Sequence, residues 1–254
     1  MAFQTVFKRY ELKYMLSLAQ KEQILAAMEP YMQLDRYGRT TIRNIYFDTD
    51  HYRLIRRSIE KPVYKEKLRI RSYTQATHAS TVFVELKKKF EHVVYKRRLP
   101  LNEAQAMAWV GREAPCPIET QISREIDCFI DFYGQLHPAV YLSYEREAFY
   151  ERSGGDFRVT FDDNIFCRQT DLSLCSPAYG TPILPEGQVL MELKCSGGLP
   201  LWMVHVLSRE RIYKTSFSKY GTAYCTQIHP NCDLTKSNIH KEIMTNEHNL
   251  SRTF

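Results

Sequence analysis

What this 254-residue chain lacks narrows the field first. No apolar run approaches the ~18–20 residues that a helix needs to cross a bilayer. The opening residues, MAFQTVFKRYELKY, have no charged-then-apolar leader pattern and pass straight into periodic sequence. The seven cysteines include no C-x-x-C pair, and the eight histidines show no H-x-H or H-E-x-x-H spacing. Neither a disulfide framework nor a His/Cys metal centre is therefore expected, and an odd cysteine count suits a reducing cytoplasm. G-x-x-x-x-G-K-[ST] and G-x-S-x-G are both missing, which argues against a P-loop and a nucleophile elbow. No repeat, low-complexity stretch or Pro/Gly/Ser linker divides the chain. Residues 1–229 read as a single domain, and 230–254, polar and aperiodic, as a C-terminal tail.

What remains is an ordinary globular composition, 44% hydrophobic and 25% charged, with a net charge of +6. Four segments read as helices. The first follows Ser17, where S-L-A-Q is a capping box, and runs to Pro30. The second opens at Asn102, the third runs from about Glu119 to Gly134, and the fourth begins at Pro200. Eight further segments, TVFKRYELKY, TIRNIYFD, YKEKLRIRSY, STVFVELKKKF, VVYKRRLPL, VYLSYERE, FRVTFDD and QVLMELKC, read as strands. The set predicts an α+β protein, an antiparallel sheet or closed barrel with helices packed outside.

Alternate residues of a strand point to opposite faces. In VYKEKLRIRSYT that rule lines up Lys65, Lys67, Arg69 and Arg71, with Leu68 and Ile70 behind. Applied to every strand, it collects Arg9, Lys13, Lys67, Arg69, Arg71, Lys87, Lys89, Lys96, Arg98, Arg146, Arg158 and Lys194 on one sheet surface. Against these twelve cations stand only Glu11, Glu85, Asp162 and Glu192, so this face carries +8, more than the whole chain. An open sheet with a solvated polar face is the plain alternative. Such a face mixes signs, however, because like charges on neighbouring strands repel. The imbalance points to an anion. Arginine forks and lysine ammoniums suit phosphate, and apart from Tyr73 the rows lack the interleaved aromatics of a nucleic-acid surface, so no nucleic-acid partner is expected. The carboxylates fit a divalent cation, Mg²⁺ or Mn²⁺, bridging to substrate phosphates. Asp48 and Asp50 in YFDTD read as the turn that ends a strand rather than as a metal pair.

At these residues the chain resembles a known family. R-Y-E-L-K-Y (9–14) is similar to the first-strand signature of VTC domains, the polyphosphate-polymerase branch of the triphosphate tunnel metalloenzyme, or CYTH-like, superfamily. N-I-Y-F-D-T (44–49), L-R-I-R-S-Y (68–73), V-E-L-K (84–87), Y-K-R-R (95–98), Y-E-R-E-A-F (144–149), F-D-D-N-I (161–165), M-E-L-K (191–194) and S-F-S-K-Y (216–220) follow in order. The resemblance implies a closed antiparallel tunnel of about eight strands that holds triphosphate or polyphosphate. It implies phosphate contacts from Lys13, Arg69, Arg71, Lys87, Arg146 and Lys219, assisted by Lys67, Lys96, Arg98 and Lys194, and a metal held by Glu192 with Glu11. It further implies an ATP–polyphosphate phosphotransferase dependent on Mn²⁺ or Mg²⁺, the growing chain threading the tunnel. A tripolyphosphatase or nucleoside triphosphatase and a non-catalytic polyphosphate-binding module are the alternatives. Arg9 stands where superfamily hydrolases often carry glutamate, and Ser216 where some VTC domains carry lysine, with Lys214 nearby. Membrane-spanning segments of eukaryotic relatives have no counterpart, so passage of product across a membrane would need a separate partner.

Overall fold

A computed structural model describes residues 10–91 and 93–230. Arg9 and the tail beyond Pro230 lie outside the described residues. Among the described residues, ten strands and six helices follow one another. β1 (Tyr10–Ser17) leads through α1 (Leu18–Met28) to the long β2 (Met32–Asp48). After α2 (Arg53–Ile59) come β3 (Tyr64–Ser72), β4 (Thr81–Phe90) and β5 (Val93–Asn102). Helices α3 (Glu103–Val110) and α4 (Gln121–Tyr133) precede β6 (His137–Glu151), β7 (Arg158–Arg168), the two-residue β8 (Thr181–Pro182) and β9 (Gln188–Cys195). The described chain closes with α5 (Leu201–Arg209), β10 (Lys214–Thr215), and α6 (Lys219–Ala223), which runs into a π-helical turn at Tyr224–Ile228.

The helix starts are written locally. Ser17 accepts from the Gln20 amide while the Gln20 side chain accepts from the Ser17 amide, and Thr120 and Ser123 repeat this reciprocal cap on α4. Asn102 caps α3, each such cap being worth about 1 kcal/mol. Asp48 does indeed end its strand, and it then holds α2: its carboxylate accepts from the amides of Thr49, Leu54 and Ile55 and from the Tyr220 hydroxyl. Four of the helices match the sequence reading. The short α2 and α6 were not foreseen, because five to seven residues give too little period to register.

All pairings are antiparallel, in the order β10-β1-β9-β7-β6-β2-β3-β4-β5, with β8 beside β7. This corrects the expected eight-stranded closed barrel: the sheet has ten strands, and its hydrogen-bonded ladder is open between β5 and β10. It nonetheless curls until its distant strands touch, since Lys87 on β4 reaches Glu11 on β1 at 3.5 Å. Bulges in β2 at Leu34/Arg39 and Tyr46/Phe47 assist the bend, the first around Gly38 at φ 61°.

Two apolar clusters lie on the convex side, where alternate strand residues meet the larger helices. Val82, Val84, Leu86, Leu68 and Ile70 pack with Trp109 of α3 and Ile126 and Ile130 of α4. Leu16, Val159, Phe161, Met191 and Leu193 pack with Ile24 of α1 and Met203 of α5. A third cluster lies on the concave side, where Ile55 of α2, Tyr220 of α6 and Phe217 cover Ile42, Leu142, Ile165 and Leu190. The expectation that all helices pack outside is corrected on this point: α2 and α6 floor the interior, because Asp48 and Tyr220 tie their ends together. Among the described residues, no helix is long and apolar enough to cross a membrane.

Candidate functional site

The parity of each strand decides what enters the concave space. Strand register brings Lys13 beside Glu192, Glu11 beside Lys194, Arg146 beside Asp162, Arg69 beside Glu85, and Glu85 beside Arg98. Every carboxylate foreseen on this face pairs with two or more cations, and two of them, Glu192 and Glu85, are ringed.

Around Glu192, which is 6% exposed, Lys194 (3.2 Å), Lys13 (3.4 Å), Arg146 (3.4 Å) and Lys219 (3.5 Å) converge. Its neighbour Asp162 is fully buried and takes a two-pronged contact from Arg146, Nε and Nη2 each at 2.6 Å, and a third bond from Lys219 at 2.5 Å. Burial alone would raise the Glu192 carboxyl, but Lys219, Lys194, Lys13 and Arg146 outweigh it and hold it well below the usual carboxylate range. Glu11 is held low too, by Lys87 first, with Lys13 helping against burial. The Lys13 ammonium lies 3.5 Å from Glu11 and 3.4 Å from Glu192, and donates to the Phe217 carbonyl at 2.9 Å.

The second ring surrounds Glu85, which is 1% exposed. Arg69 donates to it through Nε and Nη2 at 2.9 and 2.8 Å, Lys96 lies at 2.6 Å, Arg98 at 3.3 Å and Arg71 at 3.8 Å. Burial opposes ionisation of Glu85, and Arg69, Arg71 and Lys96 overcome it. Tyr144 stands between the rings. Its hydroxyl accepts from Arg71 at 3.1 Å, and the Lys219 ammonium sits 4.5 Å from its ring centre. Burial would raise that phenol, yet Arg71, Arg146 and Lys219 bring it below its ordinary value.

Lys65 and Lys67 have no such relief. Lys67 donates to the Ser218 hydroxyl at 3.0 Å and Lys65 to the Ser58 carbonyl at 3.3 Å. Burial, followed by the surrounding cations Lys13, Lys65, Lys87 and Arg69, pushes Lys67 well below the lysine range; burial followed by Lys89, Lys13 and Lys87 lowers Lys65. Among the described residues neither lysine forms an ion pair with a carboxylate, so this wall carries uncompensated positive charge.

All ten cations and both acids singled out for a site, Lys13, Lys67, Arg69, Arg71, Lys87, Lys96, Arg98, Arg146, Lys194 and Lys219 with Glu11 and Glu192, thus share one lining, and Lys65 stands beside them. Lys214 pairs with Tyr14, on the outward parity of β1, and is exposed. Sequence reasoning missed the neutral groups that orient the guanidiniums. Asn44 accepts from Arg71 at 3.0 Å while donating to the Leu142 carbonyl, and the Tyr46 hydroxyl accepts from Arg69 at 2.8 Å. Tyr144 could have been found by its parity with Arg146; Asn44 and Tyr46 carry no such signal. It also undervalued Glu85 and Asp162, which it counted as charges without assigning them partners.

For a divalent cation, the test is the donor set. The candidates are hard oxygens: Glu192, Glu11, and the buried Thr160 hydroxyl, which lies opposite Glu192 in the ladder and has no hydrogen-bond partner. Among the described residues, no three carboxylates of the lining bring their oxygens close enough to enclose an ion. The set therefore fits a Mg²⁺- or Mn²⁺-like ion that is shared with substrate phosphates rather than caged by protein. Two surface cavities, one lined by Met28, Met32, Leu34 and Phe149 and the other by His51, Arg56 and Tyr224, contain none of the lining cations.

A family model for the VTC domain matches residues 8–228. No curated protein matches the sequence. Among solved structures, a candidate adenylate cyclase from Bacillus halodurans has 16% identity and a TM-score of 0.53, covering 85% of this chain and 96% of its own. A candidate adenylate cyclase from Vibrio parahaemolyticus has 10% identity and a TM-score of 0.45 over 86% of this chain and 98% of its own. The capping-enzyme triphosphatase of Mimivirus has 8% identity and a TM-score of 0.33 over 81% and 87%. The likeness to the Bacillus halodurans structure concerns the fold.

Proposed function

Since the chain belongs to the VTC domain family, we propose that it is an ATP–polyphosphate phosphotransferase that works within the cationic lining. The observation that carries this reading is the charge arrangement. Four acids are each saturated by cations, while Lys65 and Lys67 are left facing other cations. A linear phosphoanion supplies the missing charge along several strands at once.

Phosphoryl transfer needs positioning and charge stabilisation more than covalent help from protein. In the proposed step a terminal oxygen of the acceptor chain forms a bond to the γ-phosphorus of ATP. The bond from that phosphorus to the bridging β-oxygen breaks, and ADP leaves with the electron pair. Lys13, Arg146, Lys194 and Lys219 neutralise the reacting oxygens beside Glu192, while Arg69, Arg71, Lys96 and Arg98 hold the further phosphates. Lys67 and Lys87 stand between them. Donor and acceptor are both anions, so the lining also offsets their repulsion. Glu192, with Glu11, would hold the divalent ion, which would supply further charge stabilisation at the phosphates. Tyr46, Asn44 and Tyr144 fix the arginine planes and so the direction of their donors.

Product accounting with purified protein, ATP and Mn²⁺ or Mg²⁺ tests the proposal. Transfer to a polyphosphate primer yields ADP without a matching release of inorganic phosphate. Equal amounts of ADP and phosphate would make the protein a triphosphatase, and neither product would leave it a polyphosphate-binding module.

A further inference from the structure

A second cluster of ligand-type side chains lies away from the lining. His78 belongs to the connection between β3 and β4, Glu103 is the first residue of α3, and Cys175 lies in the segment after β7. A ring nitrogen of His78, a Glu103 carboxylate oxygen and the Cys175 sulfur all fall within 4.8 Å of one another, and His78 Nδ1 is 2.8 Å from Glu103 Oε2. Backbone bonds fix this meeting of remote segments. The Ala104 amide donates to the His78 carbonyl (3.2 Å), the Glu103 amide to Ser80 (3.0 Å), and the Ala76 amide to Leu174 (3.0 Å). The Gln75 side chain donates to the Cys175 carbonyl at 2.8 Å.

The Glu103 side chain is only 5% exposed, and among the described residues no lysine or arginine pairs with it. A buried carboxylate without a permanent cation is costly. Nitrogen, oxygen and sulfur donors converge beside it. We propose that His78, Glu103 and Cys175 bind a single Zn²⁺ ion. Zinc accepts this mixed set, whereas Mg²⁺ and Mn²⁺ disfavour sulfur. Three protein ligands leave one tetrahedral position for water. The ion would fasten the segment after β7 to the β3–β4 connection and the start of α3. Ligands at positions 78, 103 and 175 obey no short spacing, which is why the sequence revealed no such centre.

The test uses chelator-stripped full-length protein titrated with Co²⁺ as a spectroscopic substitute, then with Zn²⁺ in competition. One equivalent of Co²⁺ should produce a thiolate-to-cobalt charge-transfer band, and one equivalent of Zn²⁺ should abolish it. Cys175→Ser should remove the band while Cys116→Ser keeps it. His78→Ala, at a side chain 82% exposed and so tolerant of truncation, should weaken Zn²⁺ binding more than about tenfold, the loss seen even for outer partners of a metal. Absence of the band, a band that survives Cys175→Ser, or unchanged affinity in His78→Ala would overturn the site.

Discussion

Lys96 shows how a single residue reports on the lining. Burial first, then Arg71 and Arg69, push its ammonium down to about 8 against the pull of Glu85. Its side chain is 41% exposed, so water softens the effect. In the unfolded chain it keeps its proton to about 10.5. Between these values the unfolded state binds more protons, so this residue makes the ligand-free fold more stable as pH rises. Phosphate binding needs the charged form and runs the other way. Affinity for inorganic triphosphate, followed by calorimetry, should fall as pH rises through about 8, and Lys96→Gln should flatten that profile. Arg69→Ala removes two charge-assisted bonds to Glu85 and one to the Tyr46 hydroxyl. It should weaken triphosphate binding about 10- to 100-fold, as expected for hydrogen bonds to charged groups. Unaltered binding would take β3 out of the site.

Strand alternation explains why so much of the lining was legible. Leu68 and Ile70 are fully buried under α3 and α4, and a one-residue slip of β3 would bury its cations there instead. Burial of one face thus fixes the charges on the other. The same reasoning failed where structure comes from contacts between distant elements. The floor depends on Asp48, whose carboxylate joins the start of α2 to Tyr220 of α6, next to Lys219. Neither the link nor the two short helices leave a periodic trace. The guanidinium supports Asn44 and Tyr46 were missed for a related reason, since their function lies in a cross-strand neighbour. Asp48→Ala should cost about 1–3 kcal/mol through unpaired buried amides, lowering the thermal midpoint. By loosening α6 it should raise KM for ATP more than it lowers kcat. A normal midpoint with normal KM would show that the floor does not position Lys219.

Across the whole molecule, an excess of positive charge is held in a concave space by two convex-side cores and an inner floor. The four saturated acids resist protonation, by direction of their shifts, in the folded state. The unfolded chain takes up those protons first, so stability should decline as pH drops below about 4.5, the ordinary glutamate value, a decline that thermal melts across this range would record. The lining also gains from any ligand that supplies negative charge to the folded form alone. The fold family was legible because strand motifs carry both the alternation and the charges. Closure was not, because it depends on whether β5 and β10 pair, and the ladder leaves them apart. The most direct measurement incubates the protein with γ-labelled ATP, Mn²⁺ or Mg²⁺ and a short polyphosphate primer, and resolves chain lengths on a gel. Label should move into progressively longer chains, and Glu192→Gln, checked for folding by its melt, should lose this ~10²-fold or more, the scale of losing a charge-stabilising group in a transition state. Label released only as free phosphate, or chain growth untouched by Glu192→Gln, would contradict the assignment.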